Sequence, residues 1–88
     1  MRLMGRHLLH KLATSQSGTA SAIGALYAEL LAANWSSHDE AAAAFPSAII
    51  DGCRVRIPLC EGYCVVVAIN YLARAALIEF AGPAGARG

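Results

Sequence analysis

The spacing of apolar residues changes at Pro46, and this change constrains the fold more than any other feature of the chain. Before Pro46 the apolar residues recur with the period of an α-helix, and after it they alternate as in a β-strand. The residue before a proline avoids the helical region, so Pro46 ends the helical part. This order predicts an α+β fold in which N-terminal helices pack on a small antiparallel β-meander sheet.

The part of the chain before Pro46 predicts three helices. Residues 6–13 place three leucines on one side of a short helix. Residues 20–33 give the clearest signal, because five apolar side chains fall at i, i+3, i+4, i+7 and i+8. Ser37 and Glu40 have the spacing of a capping box and predict a third short helix over residues 41–44. The five apolar positions of the long helix are Ile23, Leu26, Tyr27, Leu30 and Leu31.

The part after Pro46 predicts a series of strands joined by tight turns. Asp51-Gly52 between two apolar stretches is typical of a hairpin with a type I′ turn. Pro58 cannot donate a ladder hydrogen bond, so it marks an edge or the end of a strand. A more apolar strand over 63–70 is expected at the centre of the sheet, and a further strand follows over 75–80. Residues 1–3 are a candidate edge strand.

Length and composition indicate one domain that meets a partner. The chain has 88 residues, of which 57% are hydrophobic, and we expect a single domain over 1–82 with a loose tail over 83–88. No apolar stretch reaches the length needed to span a bilayer, and no secretory signal is evident. We therefore expect a cytoplasmic protein that does not bind membranes. Trp35 is expected to anchor the helices on the sheet.

The charged and sulfur-containing residues exclude some classes of site. The net charge of +1 argues against a dedicated nucleic-acid-binding domain, and no DNA binding by the chain alone is expected. The three cysteines are Cys53, Cys60 and Cys64, an odd number that fits reduced thiols. Their spacing lacks a Cys-x-x-Cys pair, so buried, inert thiols are favoured over a zinc site. No metal or other cofactor is expected.

From Tyr27 to Gly82 the chain resembles the HigB family of toxins from type II toxin–antitoxin systems, within the RelE/ParE-like superfamily. The resemblance rests on the order and spacing of several short landmarks. They are Trp35, Phe45-Pro46-Ser47-Ala48, Asp51-Gly52-Cys53-Arg54-Val55, Gly62-Tyr63, Val65-Val66-Val67-Ala68-Ile69-Asn70-Tyr71 and Ile78-Glu79-Phe80-Ala81-Gly82.

The resemblance implies a RelE-like fold and an mRNA interferase, a ribosome-dependent endoribonuclease that its antitoxin inhibits. In such enzymes a 2′-hydroxyl attacks the neighbouring phosphate, with no metal, so the protein supplies proton transfer and positive charge. The candidate catalytic residues are Arg54 and Tyr63, and the candidate RNA-binding residues are Arg54 and Arg56. The implied partners are an antitoxin protein, mRNA and the ribosome.

The active-site motifs of this chain depart from the family pattern. The family reads Gly-Asn-x-Tyr-Arg-Leu around the third strand, whereas Cys64 here follows Tyr63 in place of the arginine. A thiol cannot replace a guanidinium on a phosphate. The family's later Gly-Thr-His-Ala-Glu-Tyr has no counterpart after Gly82, and Glu61 adds a carboxylate near the turn. Two further hypotheses therefore stand beside the interferase: a catalytically inactive toxin that only binds its antitoxin, and an unrelated small α+β protein.

Overall fold

Three helices pack on one side of a five-stranded mixed sheet in a computed structural model of the chain. The structure describes the backbone of residues 1–87 and their side chains other than those of residues 61, 86 and 87. In this part of the chain no helix is long and apolar enough to cross a membrane. The α-helices and strands in order are β1 (Arg2–Met4), α1 (Arg6–Ser15), α2 (Ala20–Ala32), α3 (His38–Ala44), β2 (Ile49–Asp51), β3 (Arg54–Pro58), β4 (Tyr63–Asn70), β5 (Ala75–Pro83) and the single turn α4 (Ala84–Arg87). Short 3-10 helices lie at Ser17–Thr19 and Cys60–Gly62.

The strand order in the sheet is β1-β5-β4-β3-β2. The antiparallel meander predicted from the sequence is confirmed for β2 to β5, and β4 is the central strand as expected. The sheet as a whole is mixed, because β1 pairs in parallel with β5. The prediction of a purely antiparallel sheet is therefore wrong at this edge. Pro58 is the last residue of β3, where its missing donor interrupts no further pairing.

The hydrophobic core lies between the helices and one face of the sheet. Alternate residues of β3 and β4 supply the sheet side, and Leu30 of α2 is completely buried against it. Trp35 is 8% exposed and contacts Phe45 edge-on, with ring centroids 5.8 Å apart, so its predicted role as a core anchor is confirmed. The main core residues of the sheet are Val55, Ile57, Val65, Val67, Ile69, Ala76 and Ile78.

The hairpin between β2 and β3 has a different turn from the one predicted. Asp51 pairs with Arg54, so the two loop residues are Gly52 and Cys53 rather than Asp51 and Gly52. Gly52 has a φ of 63°, whereas Cys53 has a negative φ. A glycine with positive φ at the first loop position is the signature of a type II′ turn. The Asp51-Gly52 dipeptide located the hairpin correctly, but the observed two-residue loop begins one residue later, at Gly52.

The start of α3 also departs from the predicted capping box. Ser37 is the N-cap residue, as expected, but its side chain makes no capping hydrogen bond. Glu40 instead accepts hydrogen bonds from the backbone N–H and the hydroxyl of Ser36, at 2.8 and 3.1 Å. In a capping box Glu40 would accept a hydrogen bond from the backbone N–H of Ser37. Here it binds Ser36, which is one residue earlier in the chain.

The segment predicted as a loose tail begins within the sheet. Pro83 is the last residue of β5 and pairs with Tyr63, so the strand extends three residues beyond the predicted limit of residue 80. Ala84–Arg87 form one helical turn. The rest of the predicted tail, residue 88, lies outside the described residues.

Candidate nucleic-acid interface

Arg54 and Arg56 lie on the face of the sheet opposite the helices. They alternate along β3 with Val55 and Ile57, which are 0% and 4% exposed and belong to the core. Successive side chains of a strand point to opposite faces, so both arginines project away from the helical layer. The structure therefore brings the two predicted RNA-binding residues onto one surface.

Arg54 is engaged by a carboxylate on that surface. Its Nε donates a hydrogen bond to Oε1 of Glu79 at 2.8 Å, and the two side chains are 58% and 25% exposed. Glu79 is available there because the pairing of β4 with β5 shifts register between Val66 and Val67, leaving Glu79 as an extra residue in β5. Such bulges redirect a side chain. A phosphate that approaches Arg54 would compete with Glu79.

Arg56, in the middle of β3, is also engaged. Its Nη2 donates a hydrogen bond to the carbonyl oxygen of Ala84 at 3.3 Å, and its side chain is half-buried. Ala84 follows the end of β5, so Arg56 connects two strands that are separated by β4 in the sheet. One guanidinium donor is thereby committed to the protein backbone.

Tyr63 lies on the other face of the sheet from the two arginines. It has the same position in the alternation of β4 as Val65 and Val67, and it packs against the hydrophobic core. Cys64, at the position where the family carries an arginine, shares the face of Arg54 and Arg56 but is only 2% exposed. The two candidate catalytic residues, Arg54 and Tyr63, therefore lie on opposite faces of the sheet, whereas Arg56, Tyr63 and Cys64 all line one hollow of about 290 Å³.

The cysteines differ from one another in exposure. Cys53 and Cys60 are exposed, whereas Cys64 is buried, so the prediction of buried thiols holds only for Cys64. Cys53 is exposed because it occupies the hairpin tip, and the Cys60 thiol lies 3.5 Å from the carbonyl oxygen of Gly18. Among the described residues, no three histidine, cysteine or acidic side chains lie close enough to hold a metal ion.

The structure also forms a histidine–tyrosine pair that sequence reasoning missed. Nδ1 of His38 and the hydroxyl of Tyr71 are 2.8 Å apart, and the two rings meet edge-on with centroids 4.9 Å apart. Burial and, to a smaller extent, the nearby Cys53 thiol raise the pKa of Tyr71 above its usual value of 10.0. The two residues come from the start of α3 and the turn after β4, so no local motif could have indicated the pair.

No protein-family model matches this chain, and a search of curated proteins found no match. The geometry of the side chains is therefore the basis on which a function can be argued.

Proposed function

We propose that the protein is a HigB-like toxin of a type II toxin–antitoxin system, with a RelE-like fold, that binds its antitoxin and no longer cuts mRNA. The observation that carries the loss of activity is the separation of the two candidate catalytic residues, Arg54 and Tyr63. Arg54 is paired with Glu79, and Tyr63 lies on the opposite face of the sheet. The likeness of the landmarks and the helices packed on the meander support the family assignment.

Metal-free RNA cleavage makes three demands on a protein. It must accept the proton of the 2′-hydroxyl, protonate the leaving oxygen and stabilise charge on the phosphate, all within a few ångströms of one phosphate. Here the face with the arginines carries no histidine or tyrosine in β3 or β4, and Cys64 there is buried. Loss of several members of a catalytic set usually costs orders of magnitude in rate.

The surface of the sheet retains features suited to a protein partner. Ile49 on the edge strand β2 is 63% exposed, and Met4 and Leu77 are exposed neighbours on β1 and β5. Both outer strands are only three residues long and have one unpaired side. Exposed apolar side chains beside open strand edges favour association with another chain.

A second candidate function is a weak mRNA interferase. The observation that favours it is the shared face of Arg54 and Arg56, two residues apart, with Arg54 more than half exposed. A phosphate could draw Arg54 away from Glu79, because exposed ion pairs contribute little free energy.

Induced expression in bacteria, with mRNA ends mapped by primer extension, separates the two functions. We expect normal growth and intact mRNA from the natural sequence and from Glu79→Gln, which leaves Arg54 without its carboxylate partner. Soluble, folded protein must be confirmed in each strain. Co-expression of the product of an adjacent gene, followed by co-purification, tests for the antitoxin.

Two results would decide against an inactive toxin. New mRNA ends that vanish in Arg54→Ala would establish the interferase, and new ends found only with Glu79→Gln would show that the ion pair suppresses it. Glu29→Gln, which removes an exposed carboxylate from α2, is the matched control.

A further inference from the structure

Helices α1 and α2 enclose an open groove of about 560 Å³ on the helical side of the molecule. Its base is apolar, formed in part by the buried side chains of Leu9 and Ile23. Arg6, His7 and His10 stand on its α1 side, and the two histidines are exposed. The groove thus combines an apolar base with a polar rim, as partner-binding grooves do.

Gly24 keeps the α2 side of the groove open. It lies in the interior of α2, where glycine costs roughly 1 kcal/mol relative to alanine. A Cβ atom added at Gly24 would meet no other atom within 4 Å, so packing inside the protein does not require glycine there. Gly24 therefore leaves room for the approach of another chain at an open part of the surface.

The charge beside the groove is positive, because Arg6 lines it and Lys11 lies on the same helix. All six acidic residues of the chain lie at position 29 or later, whereas Arg2, Arg6 and Lys11 lie in the first part. Helix α1 contains no acidic residue, and no acidic residue among those that the structure describes lines the groove. The guanidinium of Arg6 is held at the rim by a hydrogen bond from Nη1 to the hydroxyl of Tyr27, at 3.0 Å. An acidic partner is therefore complementary to this surface.

We propose that the α1–α2 groove binds an acidic amphipathic helix of another protein. The apolar stripe of that helix would lie on Leu9, Ile23 and Gly24, and its carboxylates would face Arg6, His7 and His10. Helix α1 has 10 residues, about 15 Å in length, which matches about three turns of a partner helix. Such helices bind through side chains at i, i+3, i+4 and i+7.

This inference does not depend on the proposed function. The groove lies on the helical layer, whereas Arg54 and Arg56 lie on the opposite face of the sheet, so failure of either idea leaves the other intact. If the chain is a toxin, its antitoxin is one protein that could supply the helix, and only that identification rests on the proposed function.

The test uses the full chain and a designed peptide probe of roughly 16 residues, just above the length of about 12–15 residues below which isolated helices are marginal in water. The acidic probe carries leucine at i, i+3, i+4 and i+7 and glutamate on its other faces, and the control probe replaces glutamate by lysine. Fluorescence anisotropy gives the affinities. We expect the acidic probe to bind and the basic probe to bind at least tenfold more weakly.

Variants of α2 locate the binding site. Gly24→Phe fills the groove and should weaken binding of the acidic probe at least tenfold, whereas Gly24→Ala should change it less than about twofold. Ala25→Phe adds the same ring at an exposed position that lines a different hollow, and should leave binding unchanged. The double variant His7→Glu, His10→Glu should weaken binding about fivefold. Circular dichroism and urea unfolding confirm that each variant is folded.

Several outcomes would overturn the proposal. They are no binding of the acidic probe by the folded protein, equal binding of both probes, and binding that Gly24→Phe leaves unchanged. Binding to phosphatidylglycerol vesicles that is lost in Gly24→Phe, without binding of the peptide, would assign the groove to a lipid surface instead.

Discussion

Arg54 of β3 and Glu79 of β5 form an ion pair across the central strand, with Nε and Oε1 2.8 Å apart. Glu79 is the residue that the register shift leaves without a pairing partner in β4, because Ile78 lies opposite Val67 and Phe80 lies opposite Val66. A basic residue on the open sheet face is therefore neutralised by a carboxylate of the same face. The charge that RNA would meet there is smaller than the sequence alone indicates.

Glu79→Gln should increase the affinity for RNA. Removing the carboxylate frees Arg54 to bind phosphate, and an exposed ion pair of this kind is worth about 0.2–1 kcal/mol, which corresponds to a change of roughly 1.4-fold to fivefold. Anisotropy with a single-stranded oligouridine at low salt measures it, and the gain should shrink as salt increases. A similar gain from Glu29→Gln would show that only net charge matters, and no gain at all would contradict the role given to Glu79.

Gly5→Ala should destabilise the fold, by about 2 kcal/mol or more. Gly5 precedes α1 with a φ of 78°, a left-handed conformation that costs other residues free energy. A Cβ there would also lie 2.5 Å from the carbonyl oxygen of Ile78. Urea unfolding measures the change. The contrasting variant is Gly24→Ala, which should raise the free energy of unfolding by about 0.5–1 kcal/mol. Equal effects of the two substitutions would contradict this account.

Tyr71 should lose its proton at a higher pH in the folded protein than free tyrosine does. Burial, and secondarily the Cys53 thiol, raise its pKa. Between the unfolded and folded pKa values the unfolded chain therefore binds fewer protons, so the free energy of unfolding falls as the pH rises above about 10. The contribution of Tyr71 is complete below that pH.

Ultraviolet absorbance of tyrosinate, compared with the Tyr71→Phe variant, isolates this titration. Cys53→Ser should lower the pKa of Tyr71 slightly while leaving the larger effect of burial. A Tyr71 that titrates at the value of a model peptide would contradict the burial that raises its pKa.

The sequence predicted the elements well because their signals are local. The helical period around Leu26 and Leu30 and the alternation around Val55 and Ile57 each reflect burial on one side, which the structure confirms. The parallel pairing of β1 with β5 could not be predicted in this way, since it depends on residues far apart in the chain. The shift of the hairpin tip to Gly52-Cys53 depends on pairing register, which a dipeptide does not determine.

The candidate site was less predictable than the fold. The alternation in β3 correctly put Arg54 and Arg56 on one face, but Tyr63 is in a different strand, and its face depends on the register between β3 and β4. Glu79 is a neighbour of Arg54 at a point where the pairing of β5 is irregular, and such an irregularity cannot be read from the sequence. His38 and Tyr71 meet because α3 and the turn after β4 pack at the same end of the sheet. None of these relationships leaves a signal in neighbouring residues.

The parallel edge strand has a consequence for how the chain acquires its structure. Residues 2–4 pair with residues 75–77. Strand β1 can therefore join the sheet only after the intervening residues 5–74 have brought the two strands together. Closing so long a loop is entropically costly and slows folding. During synthesis the helices and the β2–β3 hairpin can form early, whereas the strand made first completes the sheet last. Until then the free edge of β5 is open to pairing with other chains, so newly made protein is most prone to aggregate at that edge.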